Sequence, residues 1–318
     1  MVEIKINTIS HDEVDYPFLG EFTYRVKKSK FEQTQFNAEK IQEILLKHFQ
    51  DSTLSYIFVC EDFNLAGWLL LYKKNQKEVV INPGEMLGGY PIVDINAKNH
   101  EKVISSLLTG SITAIKDSEF ESMELVLPLS DETKGICDLI VDSGFFLKLT
   151  YTDMTCELTD LPAPTVSGNF DFKKIKDVQY SELYKCYTAS FENGKAQFFK
   201  HQDDSEKKEY FEELYMKEYA DTNLSIAITE GDKLIGFSYV LEFEPHVKHI
   251  SCMCVHPDYQ GKGVGTLLMN YITLKAKKSG ARMITLGTEP QMAAYQLYKN
   301  HGFVDGASFN IYGWIKEN

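Results

Sequence analysis

Apolar residues recur with strand or helix period in two long series along the chain. Runs of two-residue period predict strands, and apolar stripes of 3.6-residue period predict helices. The first series predicts a strand near residue 4, a helix over 37–50 and strands over 56–60, 66–72, 79–81 and 92–95. The second series predicts a strand over 170–173, helices over 180–191 and 205–219, strands over 225–230, 233–243, 249–255 and 282–287, and a helix over 291–300. Strands and helices alternate in both halves, which indicates an α/β (α+β) fold.

A short segment between the two series has the composition of a linker. Residues 161–169 include Pro162, Pro164 and Gly168 and few large apolar side chains. A chain of 318 residues also exceeds what one hydrophobic core usually serves. We therefore predict one domain over residues 1–160, a linker over 161–169 and a second domain over 170–318.

A glycine-rich loop follows the predicted strand over 249–255. It runs Gln260-Gly261-Lys262-Gly263-Val264-Gly265 and leads into a helical pattern that opens at Thr266. Glycines at the start of a helix let successive N–H groups point the same way, and the helix dipole adds positive charge, so we expect a phosphate site. It is not a P-loop, because Lys262 precedes the last glycines, and it is not a Rossmann fingerprint, because Thr266 stands where the third glycine belongs.

The residues after this loop extend the pattern. Gln260, Gly263 and Gly265 give Q-x-x-G-x-G, and Ala294, Leu297, Tyr298, Gly302 and Phe303 follow in a short helix and its C-terminal turn. Over residues 170–314 this order strongly resembles the GNAT N-acetyltransferase superfamily. The resemblance implies acetyl-CoA as the cofactor, with its pyrophosphate on the loop and its pantetheine arm along a splayed strand. The cofactor-binding residues that it implies are Met253, Cys254, Val255, Gln260, Gly261, Lys262, Gly263, Val264, Gly265, Thr266, Gln291 and Tyr298.

Two of these positions depart from the pattern common in the family. Gln260 replaces the commoner Arg, so the backbone N–H groups must supply the positive field, with Lys262 as a compensating cation at the phosphates. Gln291 replaces the commoner Asn, which keeps the amide but adds a methylene. Both departures put cofactor affinity in doubt rather than the fold.

Acetyl transfer to an amine needs a base for the ammonium and an acid for the leaving thiolate. By resemblance Tyr298 is the acid, although Tyr295 and Tyr298 could also form a plain aromatic pair on their helix. His249 is the first candidate base, since an imidazole titrates near neutral pH and alternation gives it the strand parity of Met253 and Val255. The reserve candidates, at the end of the preceding strand, are Glu242 and Glu244. The thioester carbonyl would be polarised by a backbone N–H near Met253, Cys254 and Val255.

The polar segment over 194–204 lies between two predicted helices and contains Phe198, Phe199 and His201. It suits a mobile lid over an acceptor pocket, and its aromatic pair equally suits ordinary packing. Both interpretations stay open from the sequence.

The first half repeats this order in a damaged form. When Ile95 is placed against Val255, the loop glycines Gly261, Gly263 and Gly265 fall on Glu101, Val103 and Ser105. Val103 and Ser105 would bring Cβ atoms into the phosphate space, and Glu101 would add an opposing charge. The place of Tyr298 falls on Ile140, which cannot act as an acid. We therefore predict two tandem GNAT-like domains, each a mixed, mostly antiparallel sheet flanked by helices, with a degenerate first copy. A chance echo between two α/β units is the alternative.

Composition narrows the class of partner. Asp and Glu number 46 against 33 Lys and Arg, which gives a formal net charge of −13. This excess opposes nucleic-acid binding and attracts a cationic small molecule. No apolar run reaches about 18 residues and the N-terminus lacks a signal-peptide pattern, so we expect no membrane partner and a cytoplasmic location. The sequence does not fix the oligomeric state, and a homodimer is compatible with it.

The six cysteines show no C-x-x-C spacing, which indicates reduced, buried thiols. Cys252 and Cys254 share a strand face, but no further paired ligands accompany them, so no metal site is expected.

The function expected from all of this is acetyl-CoA-dependent transfer of an acetyl group to a primary amine of a small molecule. The rival from another class is a non-catalytic module that binds an acyl-CoA and signals its level. The sequence leaves open the acyl length, the amine and the role of the first copy.

Overall fold

The structure, a computed structural model, describes residues 4–27, 37–48, 52–83, 89–94, 96–131, 133–159, 170–192, 194–216, 220–221, 223–244 and 246–317. The chain forms two compact units, one of Met1–Lys148 with Phe309–Asn318 and one of Leu149–Ser308. The predicted linker over 161–169 lies outside the described residues. So do the last residues of the helices predicted over 37–50 and 205–219.

The first unit contains a mixed sheet with helices on both of its faces. Its strands are β1 (Ile4–Ile9), β2 (Thr53–Glu61), β3 (Asn64–Lys73), β4 (Glu78–Ile81), β5 (Ile92–Val93) and β6 (Ser122–Pro128). Its helices are α1 (Tyr16–Val26), α2 (Ala38–His48), α3 (His100–Lys116) and α4 (Ile136–Asp142). Neighbouring strands pair antiparallel, except that β4 and β6 pair parallel. Helices α1 and α2 pack on one face and α3 and α4 on the other.

The second unit repeats this plan. The long strand β7 (Phe146–Glu157) enters it from residue 149, and its other strands are β8 (Asp171–Lys174), β9 (Ile226–Glu230), β10 (Lys233–Glu244), β11 (Val247–Val255) and β12 (Met283–Thr288). Its helices are α5 (Tyr180–Glu192), α6 (Gln197–Lys200), α7 (Asp204–Tyr215), α8 (Val264–Lys278) and α9 (Ala293–Asn300). Strands β8 to β11 pair antiparallel in chain order, and β11 pairs parallel with β12. Helices α5 to α7 pack on one face of this sheet and α8 and α9 on the other.

Each unit completes its sheet with a strand from the other half of the sequence. In the second unit β12 pairs antiparallel with residues 152–157 of β7. In the first unit β6 pairs antiparallel with residues 309–315 of the last strand, β13 (Val304–Ile315). The predicted boundaries, 1–160 and 170–318, differ from these units at both ends, because hydrophobic patterns report local structure and not which sheet a strand joins.

The predicted fold class is confirmed, with a mixed, mostly antiparallel sheet and flanking helices in each unit. Helix α1 is missing from the sequence prediction because Pro17 and Gly20 interrupt its apolar stripe. In the structure Pro17 lies in the first turn, where its missing N–H is not needed, and the Asp15 side chain accepts a hydrogen bond from the Phe18 N–H at 3.0 Å. Within the described residues, no helix has both the length and the apolar character needed to cross a bilayer.

Candidate active site

The glycine-rich loop of the second unit connects β11 to helix α8. Gly261 and Gly263 have φ angles of 71° and 85°, in the left-handed region that favours glycine. A Cβ added to either glycine would meet no atom within 4 Å, so both face open space. The first backbone hydrogen bond into α8 runs from the Leu267 N–H to the Gly263 carbonyl at 3.0 Å. The N–H groups of Gln260 and Lys262 bond back to the Pro257 and Tyr259 carbonyls at 3.2 and 3.4 Å. The N–H groups from Gly263 to Thr266 precede the first helical bond, so they are the unsatisfied donors of a helix N-terminus and form an anion cradle within the loop over residues 260–266.

The other predicted loop residues have distinct placements. Gln260 turns its side chain back toward the strand, donating from Nε2 to the Val255 carbonyl at 3.0 Å, so it holds the loop to β11. Lys262 is exposed, with its ammonium 5.4 Å from the centre of the Tyr259 ring. Val264 is buried in the core under α8, and Thr266 is exposed on the first turn.

Gly265 fits a close approach between two helices. A Cβ at this position would lie 3.0 Å from Cδ2 of Leu297 in α9. This glycine therefore serves packing, whereas Gly261 and Gly263 serve the loop conformation.

Strands β11 and β12 separate beside the cradle. Their parallel pairing covers only Val247–Ile250 against Met283–Leu286, although β11 continues to Val255. The His256 N–H donates to the Ile235 carbonyl on the β10 side at 2.9 Å. Since successive residues of a strand point their backbone groups to opposite sides, the N–H groups of Val255 and Met253 point into the gap between β11 and β12. The gap thus carries backbone donors, and no side chain is needed to supply them.

Strand β11 contains a β-bulge at Ser251. In register with β10, Ile250 pairs with Val240 and Cys252 pairs with Tyr239, which leaves Ser251 as an extra residue. An extra residue reverses the alternation of faces beyond it. Ile250 accordingly packs with the core under α8 and α9, and Cys252 packs with the core under α5 to α7.

The bulge changes the predicted position of His249. This residue pairs with Leu241, which belongs to the core under α5 to α7, so His249 lies on that face. Met253 and Val255 pack against α8, on the other face. The predicted shared parity of His249 with these two residues is therefore wrong. The imidazole Nδ1 of His249 lies 2.9 Å from the Thr285 hydroxyl, which fixes the ring orientation.

Tyr298 lies in helix α9 with its side chain 7% exposed, and its ring packs with Phe303 at a centroid distance of 5.9 Å. Burial, with a smaller contribution from the thiols of Cys252 and Cys254, raises the pKa of Tyr298. The phenol belongs to the core under α8 and α9, whereas the two thiols belong to the core under α5 to α7. Tyr298 therefore keeps its proton at neutral pH.

The two reserve bases lie apart from His249. Glu242 pairs in register with Lys248 and forms an ion pair with it at 2.9 Å, and the Lys248 ammonium also bonds Asp221 at 3.0 Å. This places Glu242 on the opposite face of the sheet from His249. Glu244 is exposed at the end of β10.

Glu289, a residue that the sequence analysis missed, organises the end of β12. Its side chain is 2% exposed, and its carboxylate accepts hydrogen bonds from the N–H groups of Gln197 and Phe198, both at 2.9 Å. The Gln291 amide donates to the same carboxylate. The predicted pantetheine contact of Gln291 stays a prediction, with the amide engaged by Glu289. No sequence signal marks Glu289, because an acid after a strand is usually solvated.

The segment predicted as a lid or as packing contains helix α6. Phe199 is buried against Tyr187 and Phe191, with ring centroids 5.7 and 5.8 Å apart. Glu289 caps the start of α6 at the same time. Packing therefore accounts for the aromatic residues, and the lid interpretation stays a prediction.

The thiols of Cys252 and Cys254 lie 3.4 Å apart on the α5–α7 face, as their spacing predicts. Burial raises the pKa of the Cys254 thiol, and it raises that of Cys186 to about 12. The described part of the chain contains no group of three or more His, Cys, Asp or Glu residues arranged to hold a metal ion. These cysteines behave as buried apolar residues.

The corresponding place in the first unit is closed. Helix α3 is already helical at His100, so the aligned residues Glu101 and Val103 lie within a helix and not in a loop. The buried Glu61 carboxylate accepts from the N–H groups of Lys98 and Asn99 at 3.0 and 3.1 Å, so it occupies the approach to the helix N-terminus. The cavity beside it is small, about 170 Å³, and its lining includes Glu61, Asp62, Asp94 and Lys98. Lys98 pairs with Asp62 at 3.1 Å, so this cation is already engaged. Ligand pockets usually measure about 300–1,000 Å³, so the cavity is below the usual size.

Comparison with known sequences identifies the second unit. Residues 180–303 match the profile of the Acetyltransferase (GNAT) family. An uncharacterised N-acetyltransferase of Gracilaria tenuistipitata var. liui is 34% identical over 71 residues, which are 22% of this chain. The matched part spans only 38% of the length of that relative.

Solved structures share the fold over the whole chain. A GCN5-related N-acetyltransferase from Sphaerobacter thermophilus is 13% identical with a TM-score of 0.63, covering 98% of this chain and 95% of its own. A GCN5-related glucosamine N-acetyltransferase region of a fungal multi-domain GH3 β-N-acetylglucosaminidase is 12% identical with a TM-score of 0.63, covering 99% of this chain and 38% of its own. A tandem GNAT protein from the clavulanic acid biosynthesis pathway is 12% identical with a TM-score of 0.50, covering 99% of both chains. At these identities the likeness establishes the fold.

Proposed function

Because residues 180–303 of this chain form a domain of the acetyltransferase (GNAT) family, we propose that its second unit transfers an acetyl group from acetyl-CoA to a primary amine of a small molecule. The observation that carries the proposal is the combination of an open gap beside β11 with a glycine cradle at the start of α8. When bound, acetyl-CoA supplies an activated acetyl thioester and a diphosphate.

The cradle residues fit a diphosphate. Gly261 and Gly263 face open space, and the first amides of α8 lack helical partners, so donors and room occur together. Lys262 supplies a cation at the edge of the cradle. The Val255 and Met253 N–H groups, which point into the gap, would donate to the acyl carbonyl oxygen and stabilise the charge that develops there.

The acid and base have separate positions. Tyr298 carries a proton at neutral pH and would donate it to the leaving sulfur, because burial raises its pKa. His249, oriented by Thr285 on the α5–α7 face, would take a proton from the ammonium of the substrate. Glu242 is the weaker candidate, since its carboxylate already neutralises the buried Lys248.

Replacement of Tyr298 by Phe tests the proposal. We expect kcat to fall about 100-fold or more, because a positioned general acid contributes at least that factor, while the Kd for acetyl-CoA changes less than about 3-fold. Steady-state kinetics with a panel of amines and calorimetric titration with acetyl-CoA measure the two quantities.

Tyr295→Phe is the matched control. It removes a hydroxyl from the same helix, one that bonds the exposed Asp305 carboxylate at 2.8 Å, and it should keep wild-type kcat. Equal loss in both variants would contradict the acid role. Binding of acetyl-CoA by the wild type without turnover of any amine would favour the acyl-CoA sensor instead.

A further inference from the structure

Three tyrosines from three elements of the second unit lie near one another, and one of them lies where the gap opens. Tyr187 of α5 and Tyr210 of α7 stack with ring centroids 6.4 Å apart. The hydroxyl of Tyr151, in β7, lies so close to Gly287 that a Cβ there would be 1.4 Å from its oxygen. Gly287 follows Leu286, the last residue of β12 that pairs with β11, so it lies where the gap opens. We call Tyr151, Tyr187 and Tyr210 the tyrosine cluster.

The hydroxyl of Tyr187 has no hydrogen-bond partner among the residues that the structure describes. The Tyr187 side chain is 0% exposed, and its hydroxyl is one of the buried polar atoms without a hydrogen bond among the described residues. Tyr151 and Tyr210 are partly exposed, so the cluster leads from the surface to Tyr187. A buried, unsatisfied hydroxyl costs stability, and a bound group that donates a hydrogen bond to it would recover that cost.

The cluster lies on the side of the sheet that holds the candidate base. Cys252 and Cys254 pack with Tyr187 in the core under α5 to α7, and His249 shares this face. The same strand, β11, points its Met253 and Val255 N–H groups into the gap. A molecule held by the cluster would therefore lie within reach of both His249 and an acyl group in the gap, which transfer requires.

The charges around the cluster are negative or already neutralised. Burial raises the pKa of Tyr151 to about 12, with a smaller contribution from the charge of Asp153. Burial also raises the pKa of Tyr210, and Glu213 is among the smaller contributions there. Lys207, on the same helix as Tyr210, has its ammonium 4.7 Å from the centre of the Phe199 ring and 3.2 Å from the Asp204 carboxylate. A ligand carboxylate would meet like charge from Asp153 and Glu213 here, whereas a ligand cation would meet ring faces and acids.

We propose that the acceptor of the second unit is a cationic amine carried on an apolar, carboxylate-free body, that the tyrosine cluster binds it, and that the Tyr187 hydroxyl accepts a hydrogen bond from its ammonium. This assignment of substrate class rests on the proposed function. It gives the unpartnered hydroxyl a role, and it places the amine beside His249.

Matched pairs of amines test the substrate class directly. 2-Phenylethylamine and L-phenylalanine differ by one carboxylate, as do tyramine and L-tyrosine. We expect kcat/KM to be at least about 10-fold higher for the carboxylate-free member of each pair, because the carboxylate would lie buried without a partner. Equal or reversed preference would overturn the proposal.

Replacement of Tyr187 by Phe tests the residue. We expect KM for the preferred amine to rise about 10-fold, with kcat and the Kd for acetyl-CoA within about 3-fold of wild type, because one hydrogen bond to a charged group is lost. The melting temperature should stay the same or rise, because the hydroxyl has no partner to lose. Tyr180→Phe is the matched control on the same helix, because its hydroxyl is likewise buried without a hydrogen bond among the described residues, but its ring packs on Tyr184 and Tyr215, and the variant should leave KM unchanged. A lower melting temperature with unchanged KM in Tyr187→Phe would assign this residue to stability alone and overturn its proposed role.

Amine binding without the cofactor separates this inference from the proposed function. Titration of each amine of a pair into the full chain reports the preference even where no acetyl transfer occurs. Selective binding of 2-phenylethylamine without turnover would contradict the proposed acetyl transfer and support the proposed amine site. Turnover that favours L-phenylalanine, or binding of neither amine, would sink the binding site.

Discussion

Single glycines decide where the cradle can form. Gly263 has a φ angle of 85° with no atom within 4 Å of an added Cβ, and Gly231 in the β9–β10 turn has a φ angle of 59° with equally open surroundings. The two positions impose the same backbone requirement, but only Gly263 lies at a helix N-terminus. Spacing along the sequence was enough to predict this difference, because a turn and a helix start are both local features.

We expect Gly263→Ala to weaken acetyl-CoA binding about 10-fold, since the new methyl group stands in the space required by the diphosphate. The left-handed backbone should also cost about 1 kcal/mol of stability. Gly231→Ala supplies the control, with a similar loss of stability and an unchanged Kd. Calorimetry measures the effect on acetyl-CoA binding, and thermal unfolding measures the effect on stability. Identical Kd values for both variants would contradict diphosphate binding at Gly263.

Single strands and loops show where sequence reasoning stops. The alternation over 249–255 predicts strand β11 well, but it cannot reveal the bulge at Ser251, because burial alternates through the bulge without interruption. The predicted strand is therefore confirmed, whereas the predicted face of His249 is wrong. The sequence did not predict the role of Glu289 either, because this role also depends on distant contacts. Its partners are the N–H groups of Gln197 and Phe198 in α6, about 90 residues away.

Glu289→Gln is predicted to loosen helix α6. The glutamine amide keeps an oxygen for only one of the two N–H groups of Gln197 and Phe198, and it presents its NH2 group to the other. One buried donor therefore loses its acceptor, at a cost of about 1–3 kcal/mol. Hydrogen exchange at residues 197–200 should accelerate, and the melting temperature should fall. Glu244→Gln is the control, because Glu244 is exposed and its replacement should change neither quantity. Unchanged exchange in Glu289→Gln would contradict the capping role.

At the scale of the whole molecule, each unit depends on a strand from the other half of the sequence. Residues 309–315 pair with β6, and Trp314 is buried in the first unit, whereas residues 152–157 pair with β12 in the second unit. The sequence predicted two copies of one plan, and element order confirms this. It could not predict the exchange of strands, because a hydrophobic pattern does not reveal which sheet a strand joins.

Fragments cut at the predicted boundaries should therefore fail to fold alone. Residues 1–160 lack the last strand, β13, which contributes Tyr312 and Trp314 to the core of the first unit. Residues 170–318 lack β7, the strand that pairs with β12. We expect neither fragment to show cooperative unfolding by itself, and co-expression to recover a soluble pair. Calorimetry measures the unfolding of each fragment. Cooperative unfolding of the 170–318 fragment by itself would contradict the exchange of strands between the two units.

The central claim is that the intact cradle binds acetyl-CoA and that its counterpart, filled by the Glu61 carboxylate and the first turn of α3, does not. Titration of acetyl-CoA into the full chain, with Gly263→Val and Glu61→Gln as the two unit-specific variants, tests it most directly. We expect one acetyl-CoA site per chain, lost in Gly263→Val and retained with unchanged stoichiometry in Glu61→Gln. Two sites per chain, or one site that survives Gly263→Val, would contradict it.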